Sequence, residues 1–121
     1  MGRIRDVMKT KLHTVGPEDT VGEAVAVMAQ NRVGSVLVME ADRLLGIFTE
    51  RDTVRALSQA HDAARHEITS WMTHNPKTVE PDVDSEDALH TMLDNGFRHL
   101  PVVENGKVIG VVSMRDLAAE G

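Results

Sequence analysis

The sequence predicts an α+β protein in which one unit of mixed helices and strands occurs twice. Residues 64 positions apart match over most of the chain without a gap, as Asp52 and Asp116 do. Each copy combines short apolar runs, which are typical of strands, with longer stretches of helical periodicity. Because a chain of about 60 residues buries too little surface to be stable alone, we expect the two copies to fold as one unit, sheet packed against sheet.

The internal repeat involves residues of several chemical types. Matching pairs are Met8 and Met72, Thr14 and Thr78, Pro17 and Pro81, Ala24 and Ala88, Met28 and Met92, Asn31 and Asn95, and Gly46 and Gly110. Two copies indicate a closed pair with pseudo-two-fold symmetry rather than a longer array. We expect the first copy over 1–58, a linker over 59–70 and the second copy over 71–121.

The first half of each copy is predicted to be mostly helical. A short amphipathic helix over 3–9 precedes an extended piece over 13–15. Thr20 and Glu23 then form a capping-box pattern, and apolar residues recur on one helical face. In the second copy the equivalent helix starts at an Asp84 cap. Both helices are expected to stop near an asparagine, at 31–32 and 95–96.

The second half of each copy is predicted to be a hairpin followed by a helix. The strands are expected over 35–39 and 44–48 in the first copy, and over 99–103 and 107–112 in the second. Asn105 and Gly106 are a strong hairpin-turn signal, since both residue types tolerate a positive φ. Pro101 cannot donate a hydrogen bond to a neighbouring strand, which favours a strand start or an edge.

One motif ends each hairpin and begins the helix that follows. It reads Gly46-Ile47-Phe48-Thr49-Glu50-Arg51-Asp52 in the first copy and Gly110-Val111-Val112-Ser113-Met114-Arg115-Asp116 in the second. Thr49 and Ser113 are good N-cap types, and the unpaired N–H groups of a helix start favour anions. The aspartate three positions later predicts either a cap contact or hydrogen bonds from the hydroxyl groups of a ligand.

The composition argues against several functional classes. The formal net charge of −6 without a basic stripe disfavours nucleic acid as a partner. The absence of cysteine excludes disulfides and thiolate metal sites. No apolar run is long enough to span a bilayer, so we expect a cytoplasmic protein without a membrane partner. No nucleophile–base set and no metal-ligand spacing is visible, even at the histidines of the polar linker. We therefore expect no enzyme, no catalytic residue and no metal site.

Taken together and in order, these motifs resemble the cystathionine-β-synthase (CBS) domain, twice. The motifs are the Thr-Val-x-Pro opening at 14–17 and 78–81, the Ala-x-x-x-Met helix, the Pro-Val strand at 101–102, and the Gly-x-x-Thr/Ser-x-x-Asp junction. The resemblance implies a stand-alone pair of βαββα repeats, with two small sheets packed in pseudo-two-fold symmetry. It also implies a regulatory module that binds an adenosine-containing ligand such as AMP, ADP, ATP, NAD or S-adenosylmethionine.

The resemblance also implies the residues that bind such a ligand. Asp52 and Asp116 take the ribose hydroxyls, and Thr49 and Ser113 lie near ribose or phosphate. Backbone around the opening and the second strand frames the adenine, at Thr14, Val15, Val33 and Ser35 in one site and at Thr78, Val79, Arg98, His99 and Leu100 in the other. The basic residues expected to meet phosphates are Arg51, Arg98, His99 and Arg115. The first copy lacks the Arg-His pair, so its site is expected to be empty or to prefer less phosphate charge.

The function predicted in this way is that of a sensor without a required cofactor. An adenine nucleotide would shift the packing of the repeats or of a homodimer, and an unidentified regulated protein would read the change. The alternative is a structural dimerisation module without a physiological ligand, paired through the apolar faces of the two long helices, at 21–28 and 88–92. On either hypothesis we expect a homodimer.

Overall fold

The structure, a computed structural model, describes residues 2–120. Its elements in chain order are α1 (Ile4–Val7), β1 (Thr14–Val15), α2 (Val21–Asn31), β2 (Ser35–Glu40), β3 (Arg43–Thr49), α3 (Glu50–Gln59), two 3₁₀ turns (Ala63–Arg65 and Ile68–Ser70), β4 (Thr73–His74), α4 (Ser85–Asn95), β5 (His99–Glu104), β6 (Lys107–Ser113) and α5 (Met114–Glu120). The predicted α+β class is confirmed, and the helices and hairpins lie where the periodicity predicts them.

The chain forms two compact units. The first unit is the continuous segment His13–Pro76, and the second combines the residues up to Leu12 with those from Lys77 onward. The repeat boundaries at 58 and 71 are a prediction about the sequence and remain one. The spatial units are divided differently, because the segment that opens each copy packs in the unit built from the other copy.

The first unit contains a four-stranded sheet in the order β1-β2-β3-β4. β1 runs parallel to β2, and the other neighbouring pairs are antiparallel. One face of the sheet is covered by α2, whose buried residues Val21, Ala24 and Met28 follow the helical spacing read from the sequence. These side chains share a core with Val36 and Phe48. Because side chains alternate between the two faces of a strand, every second side chain of β2 points into this core.

The second unit repeats this arrangement with a smaller sheet. β5 and β6 form the antiparallel hairpin, and Asn105 and Gly106 both have positive φ in its turn, as predicted. The position equivalent to β1 is occupied by a single parallel bridge between Val79 and Val102. Met92 of α4 and Ile4 of α1 are fully buried in the shared core.

The segments that open the two copies pair with equivalent residues in the two units. In the second unit, Arg3 bridges Asp84 and Lys9 bridges Val111. In the first unit, the residues 64 positions later make the equivalent contacts, with Glu67 bridged to Thr20 and Thr73 paired with Ile47. We call residues 2–9 and 66–74 the opening segments. Each completes the sheet and core of the unit that is built mainly from the other copy of the repeat.

An ion-pair cluster holds the first of these segments on the second unit. The Arg5 guanidinium lies 3.3 Å from Asp82 through Nε and 2.6 Å from Glu104 through Nη2. The hydrogen bond to Asp82, followed by that to Glu104, raises the pKa of Arg5 above its ordinary value. The backbone contributes as well, because Ile4 N–H donates to the Val83 carbonyl oxygen at 3.0 Å.

The helix faces predicted for dimerisation are partly used for packing within each unit, and their role as an interface stays a prediction. Ala24 and Met28 of α2 lie in the core of the first unit, and Ala88 and Met92 of α4 lie in the core of the second. A side chain buried within its own unit is not available to a second copy of the chain. Among the described residues, the large apolar side chains of Val54, Leu57 and Leu93 are exposed. The homodimer itself stays a prediction.

Candidate functional site

The first junction lies between β3 and α3, where Thr49 is the N-cap residue. Asp52 N–H donates to Thr49 Oγ1 at 3.3 Å, and Thr49 N–H donates to Asp52 Oδ2 at 2.9 Å. The Thr49 hydroxyl also donates to Oδ2, at 3.1 Å. This reciprocal capping box confirms the cap predicted from the sequence. Such a cap contributes about 1 kcal/mol to stability, so Asp52 has a structural role whatever else it does.

The second junction, between β6 and α5, has the same backbone geometry. Ser113 N–H donates to Asp116 Oδ2 at 3.0 Å, and Asp116 N–H donates to Ser113 Oγ at 3.1 Å. In both junctions the cap bonds involve Oδ2 of the aspartate. The second oxygen of each carboxylate, Oδ1, is therefore the atom whose surroundings decide what else the residue can bind.

A cation faces Oδ1 in each junction, but the two cations have different origins. Arg55 Nη2 lies 3.3 Å from Asp52 Oδ1, whereas Lys9 Nζ lies 3.7 Å from Asp116 Oδ1. Only 13% of the Asp52 side chain and 14% of the Asp116 side chain are exposed. Arg55 comes from the same helix as its aspartate, while Lys9 comes from the opening segment. The residue equivalent to Arg55 in the second copy, 64 positions later, is Ala119, which carries no charge.

Arg55 is anchored by Trp71 of the other opening segment. Its Nη2 group donates to the Trp71 carbonyl oxygen at 2.8 Å, and its Cζ lies 5.3 Å from the centroid of the indole ring. A guanidinium at this distance from an aromatic ring is stabilised by about 0.5–1 kcal/mol at an exposed site. Arg55 is thus fixed by contacts on two sides, at Asp52 and at Trp71.

The indole ring is itself held in place by a histidine. Trp71 Nε1–H donates to His66 Nδ1 at 3.0 Å, and the two rings stack with an interplanar angle of 13°. Because the indole nitrogen can only donate, His66 Nδ1 is unprotonated and the ring proton lies on Nε2. His66 Nε2 lies 3.0 Å from Asp62 Oδ1, which accepts that proton's hydrogen bond. A connected network therefore leads from Asp62 to Asp52.

Other predicted residues lie close to the junctions along the sheet. Ser35 at the start of β2 pairs with Thr49, and His99 at the start of β5 pairs with Ser113. Thr14 pairs with Leu37, two residues after Ser35. The structure thus brings Thr14, Ser35 and Thr49 to one end of the sheet in the first unit, and their role in binding stays a prediction.

The apolar residues predicted for the adenine are part of the packing of each unit. The side chains of Val15 and Leu100 are buried in the two cores, and Val33 and Val79 pack against those cores. These side chains have limited surface left for a ligand. What they offer is backbone, as the sequence analysis expects. At Val79, however, N–H donates to the Pro101 carbonyl oxygen at 3.0 Å.

The basic residues predicted to meet phosphate are mostly on the surface. Arg51, Arg98 and Arg115 are exposed and His99 is half-buried. The remaining predicted residue, Thr78, is also exposed, immediately before the Val79 bridge. No contact of the described residues assigns a ligand role to these side chains, so the phosphate and adenine assignments stay predictions.

Four side chains near the junctions were missed by the sequence analysis: Lys9, Arg55, His66 and Trp71. Arg55 carries a signal that was available, since residues three apart on a helix are neighbours and a cation there can pair with Asp52. Lys9 carries none, because only the exchange of opening segments brings it to Asp116. Among the described residues there is no group of three or more metal-ligating side chains suited to hold a metal ion. No helix within residues 2–120 is long and apolar enough to cross a membrane.

Comparison with known families identifies the class of protein that this fold and these junctions define. The family model for the CBS domain matches residues 4–59 and again 66–120. The chain therefore belongs to the CBS domain family and contains two such domains. The predicted family is confirmed, and no catalytic family is identified beside it.

Several proteins are similar over nearly the whole chain. An uncharacterized 17.7 kDa protein of Acidianus ambivalens is 41% identical over 118 residues, covering 96% of this chain and 71% of its own length. The CBS domain-containing protein YhcV of Bacillus subtilis is 33% identical over 119 residues, covering 98% and 84%. The crystal structure of a CBS-domain protein from Agrobacterium tumefaciens matches with a TM-score of 0.93 and 31% identity, covering 98% of both chains.

Two further crystal structures share the fold and contain ligands. CBSX2 in complex with AMP is 24% identical with a TM-score of 0.84, covering 99% of this chain and 96% of its own. The CBS domain pair of protein MJ0100, in complex with 5′-methylthioadenosine and S-adenosyl-L-methionine, is 22% identical with a TM-score of 0.89, covering 99% and 95%. At these identities the likeness concerns the fold.

Proposed function

We propose that this protein is a regulatory module that binds an adenosine-containing ligand, with Asp52 and Asp116 as the carboxylates that recognise ribose. Structures of the same fold hold AMP in one case, and 5′-methylthioadenosine with S-adenosyl-L-methionine in another. Adenosine is common to these ligands, whereas their phosphate, thioether and sulfonium groups differ. The part of the site shared by the two copies is therefore expected to read the nucleoside.

The feature that supports this role most directly is that the two oxygens of each carboxylate have different contacts. Oδ2 accepts the cap bonds, which fix the orientation of the group, and Oδ1 faces the cationic side chain of Arg55 or Lys9. A carboxylate oxygen accepts more than one hydrogen bond. An oriented acceptor that is only 13–14% exposed is suited to two vicinal hydroxyl groups, which ribose has and deoxyribose lacks.

Regulation requires that the ligand favour one arrangement of the protein over another. The second junction provides a route, because Lys9 lies beside Asp116 and belongs to an opening segment that pairs with Val111 in both directions at 2.9 Å. A ligand that takes over Oδ1 of Asp116 changes the partner of Lys9. Ligand occupancy and the placement of residues 2–9 are therefore coupled, and a partner protein or a homodimer contact can respond to that segment.

Isothermal titration calorimetry with AMP, ATP, NAD and S-adenosylmethionine tests the proposal. We expect binding of at least one ligand below millimolar concentration. Replacing Asp116→Asn or Asp52→Asn preserves an oxygen that can accept the bond from the N-cap backbone, because the side-chain amide of asparagine also has an acceptor oxygen. Each replacement is expected to weaken its own site by about 10–100-fold, since hydrogen bonds to a charged acceptor contribute about 1.5–3 kcal/mol.

Two controls separate ribose recognition from general charge. Glu50→Gln removes an exposed acid from the same first turn of α3 and is expected to change affinity by less than about 2-fold, as is typical of an exposed charge. With 2′-deoxy-AMP the wild-type protein is expected to bind as weakly as the asparagine variants bind AMP. Failure of all four ligands to bind below millimolar concentration would contradict the proposal.

A further inference from the structure

We infer that Arg55 is an internal counter-ion that closes the first junction to ligand, so that the proposed ligand fills the second junction first. This inference rests on the proposed function and concerns the order in which its two sites are used. Its basis is a difference between the units in the atoms that face Oδ1 of each aspartate. Arg55 and Lys9 are not equivalent in sequence, and they are held in different ways.

Arg55 is held in a fixed position. Its Nη2 group lies 3.3 Å from Asp52 Oδ1 and donates to the Trp71 carbonyl oxygen at 2.8 Å, and its guanidinium lies over the indole ring. Trp71 is tied through His66 to Asp62. Moving Arg55 away from Asp52 therefore disturbs contacts with a supported aromatic side chain in addition to one ion pair.

Lys9 is held much more loosely. Its Nζ atom is 3.7 Å from Asp116 Oδ1, beyond ordinary hydrogen-bond distance, and 74% of its side chain is exposed. The corresponding figure for Arg55 is 47%. A long, exposed lysine side chain has many rotamers available in water, and pairs of this kind contribute little to stability. The ligand can displace Lys9 from Oδ1 without breaking a second contact.

The two aspartates also differ in the protein groups that donate hydrogen bonds to Oδ2, with which a ligand must compete. Asp52 Oδ2 accepts bonds from both the N–H and the hydroxyl of Thr49, whereas the bond described for Asp116 Oδ2 comes from the N–H of Ser113. Ribose at the first junction must therefore compete for an aspartate that accepts two bonds at Oδ2 and pairs with an anchored guanidinium at Oδ1. At the second junction Oδ2 accepts one described bond, and Oδ1 faces the exposed Lys9. The physical expectation is ordered occupancy, with the Asp116 site first.

The experiment isolates the first junction by combining variants. AMP is titrated calorimetrically into wild type, Asp116→Asn, Arg55→Gln and the double variant Asp116→Asn with Arg55→Gln. Glutamine keeps part of the aliphatic stem of arginine but lacks the guanidinium that donates to the Trp71 carbonyl oxygen, and it carries no charge to pair with Asp52. We expect the double variant to bind AMP about 10-fold more tightly than Asp116→Asn alone, as removal of a charge-assisted competitor predicts.

Lys9→Gln is the matched control in the second junction. It is expected to change the Asp116-dependent affinity by less than about 3-fold, in keeping with a weak exposed pair. Arg55→Lys keeps the charge but loses the planar group that stacks on Trp71, so it is expected to give an affinity between those of arginine and glutamine at the first junction. Thermal unfolding of each variant shows whether the protein remains folded during the titration.

The outcomes separate this inference from the proposed function. Unchanged or weaker AMP binding in the double variant, compared with Asp116→Asn, overturns the inference, and weaker binding would assign Arg55 to the ligand as a phosphate contact instead. Wild-type binding that is stronger at Asp52 than at Asp116 also overturns it. If neither wild type nor any variant binds AMP, ATP, NAD or S-adenosylmethionine, the proposed function fails, independently of Arg55.

Discussion

The two junctions share their backbone and differ in their side-chain surroundings. Both aspartates orient Oδ2 through a reciprocal helix cap, with bond lengths that agree to within a few tenths of an ångström. The cation at Oδ1 comes from the next turn of the same helix in one unit, and from an opening segment in the other. Duplication of a sequence therefore preserves the local geometry of a site more faithfully than its electrostatic environment.

A second difference concerns backbone positions with positive φ. α2 ends at Arg32 with φ of 56°, and the equivalent end of α4 is Gly96 with φ of 74°. In the hairpin turns, Ala41 and Asn105 both have φ of 53°. In this left-handed region a residue with a Cβ is destabilised by about 1–2 kcal/mol, whereas glycine is not and asparagine is destabilised less. At these two pairs of positions the first copy thus carries more local strain than the second.

The glycine that begins each junction motif offers the strongest test of what the copies share. A Cβ at Gly46 would lie 2.7 Å from the Thr73 carbonyl oxygen, and a Cβ at Gly110 would lie 2.8 Å from that of Lys9. Gly46→Ala and Gly110→Ala are therefore each expected to lower the free energy of unfolding in urea by about 1–3 kcal/mol, as overpacking does. We expect Gly46→Ala to have the larger effect, because its Cβ would lie 2.6 Å from Met72 Sδ, whereas a Cβ at Gly110 would lie 2.9 Å from Met8 Sδ.

Gly16→Ala is the control for these glycine variants. A Cβ there would have ordinary contacts, 3.6 Å from Asp19 Oδ2 and 3.9 Å from Glu18 Oε2. The expected change in stability is within about 0.5 kcal/mol. If Gly46→Ala and Gly110→Ala were equally harmless, the close crossing of the opening segments over the two strands would be refuted.

The helix ends provide the next effect in size. Arg32→Gly removes the steric strain of a Cβ at a residue in the left-handed region. It is expected to raise the free energy of unfolding by about 1 kcal/mol, because glycine is the preferred residue at such a position. The reverse change, Gly96→Arg, is expected to lower it by a similar amount. Chemical denaturation measures the change in the free energy of unfolding for each variant. Changes of the same sign in both variants would show that the two helix ends are not equivalent.

The hairpin turns give the smallest effect. Ala41→Asn places in the first turn the residue type that the second turn has at Asn105, and is expected to stabilise by about 0.5 kcal/mol, since asparagine enters the left-handed region more readily than alanine. Asn105→Ala should destabilise to a similar degree. Differential scanning calorimetry resolves changes of this size when wild type is measured alongside, and a loss of stability in Ala41→Asn would contradict the strain assigned to that turn.

Much of the fold could be predicted because its signals are local. The helical spacing of Val21, Ala24 and Met28 predicts the buried face of α2, and Asn105 with Gly106 predicts a tight turn. The spacing of Thr49 and Asp52 likewise predicts a cap, which the structure confirms. Several residues of the predicted dimer faces pack in the cores of their own units, since periodicity shows that a helix face is apolar but not which surface it packs against.

Sequence alone determined the duplication, the α+β class, the position of each helix and hairpin, and the two cap-forming aspartates. These features depend on residues that are close in the chain, where propensity and hydrogen bonding act over one or two turns. Only the tertiary structure decided that each opening segment joins the other copy, that Lys9 lies beside Asp116, and that Trp71 supports Arg55. Such contacts join distant parts of the chain, and the packing of a whole unit selects them.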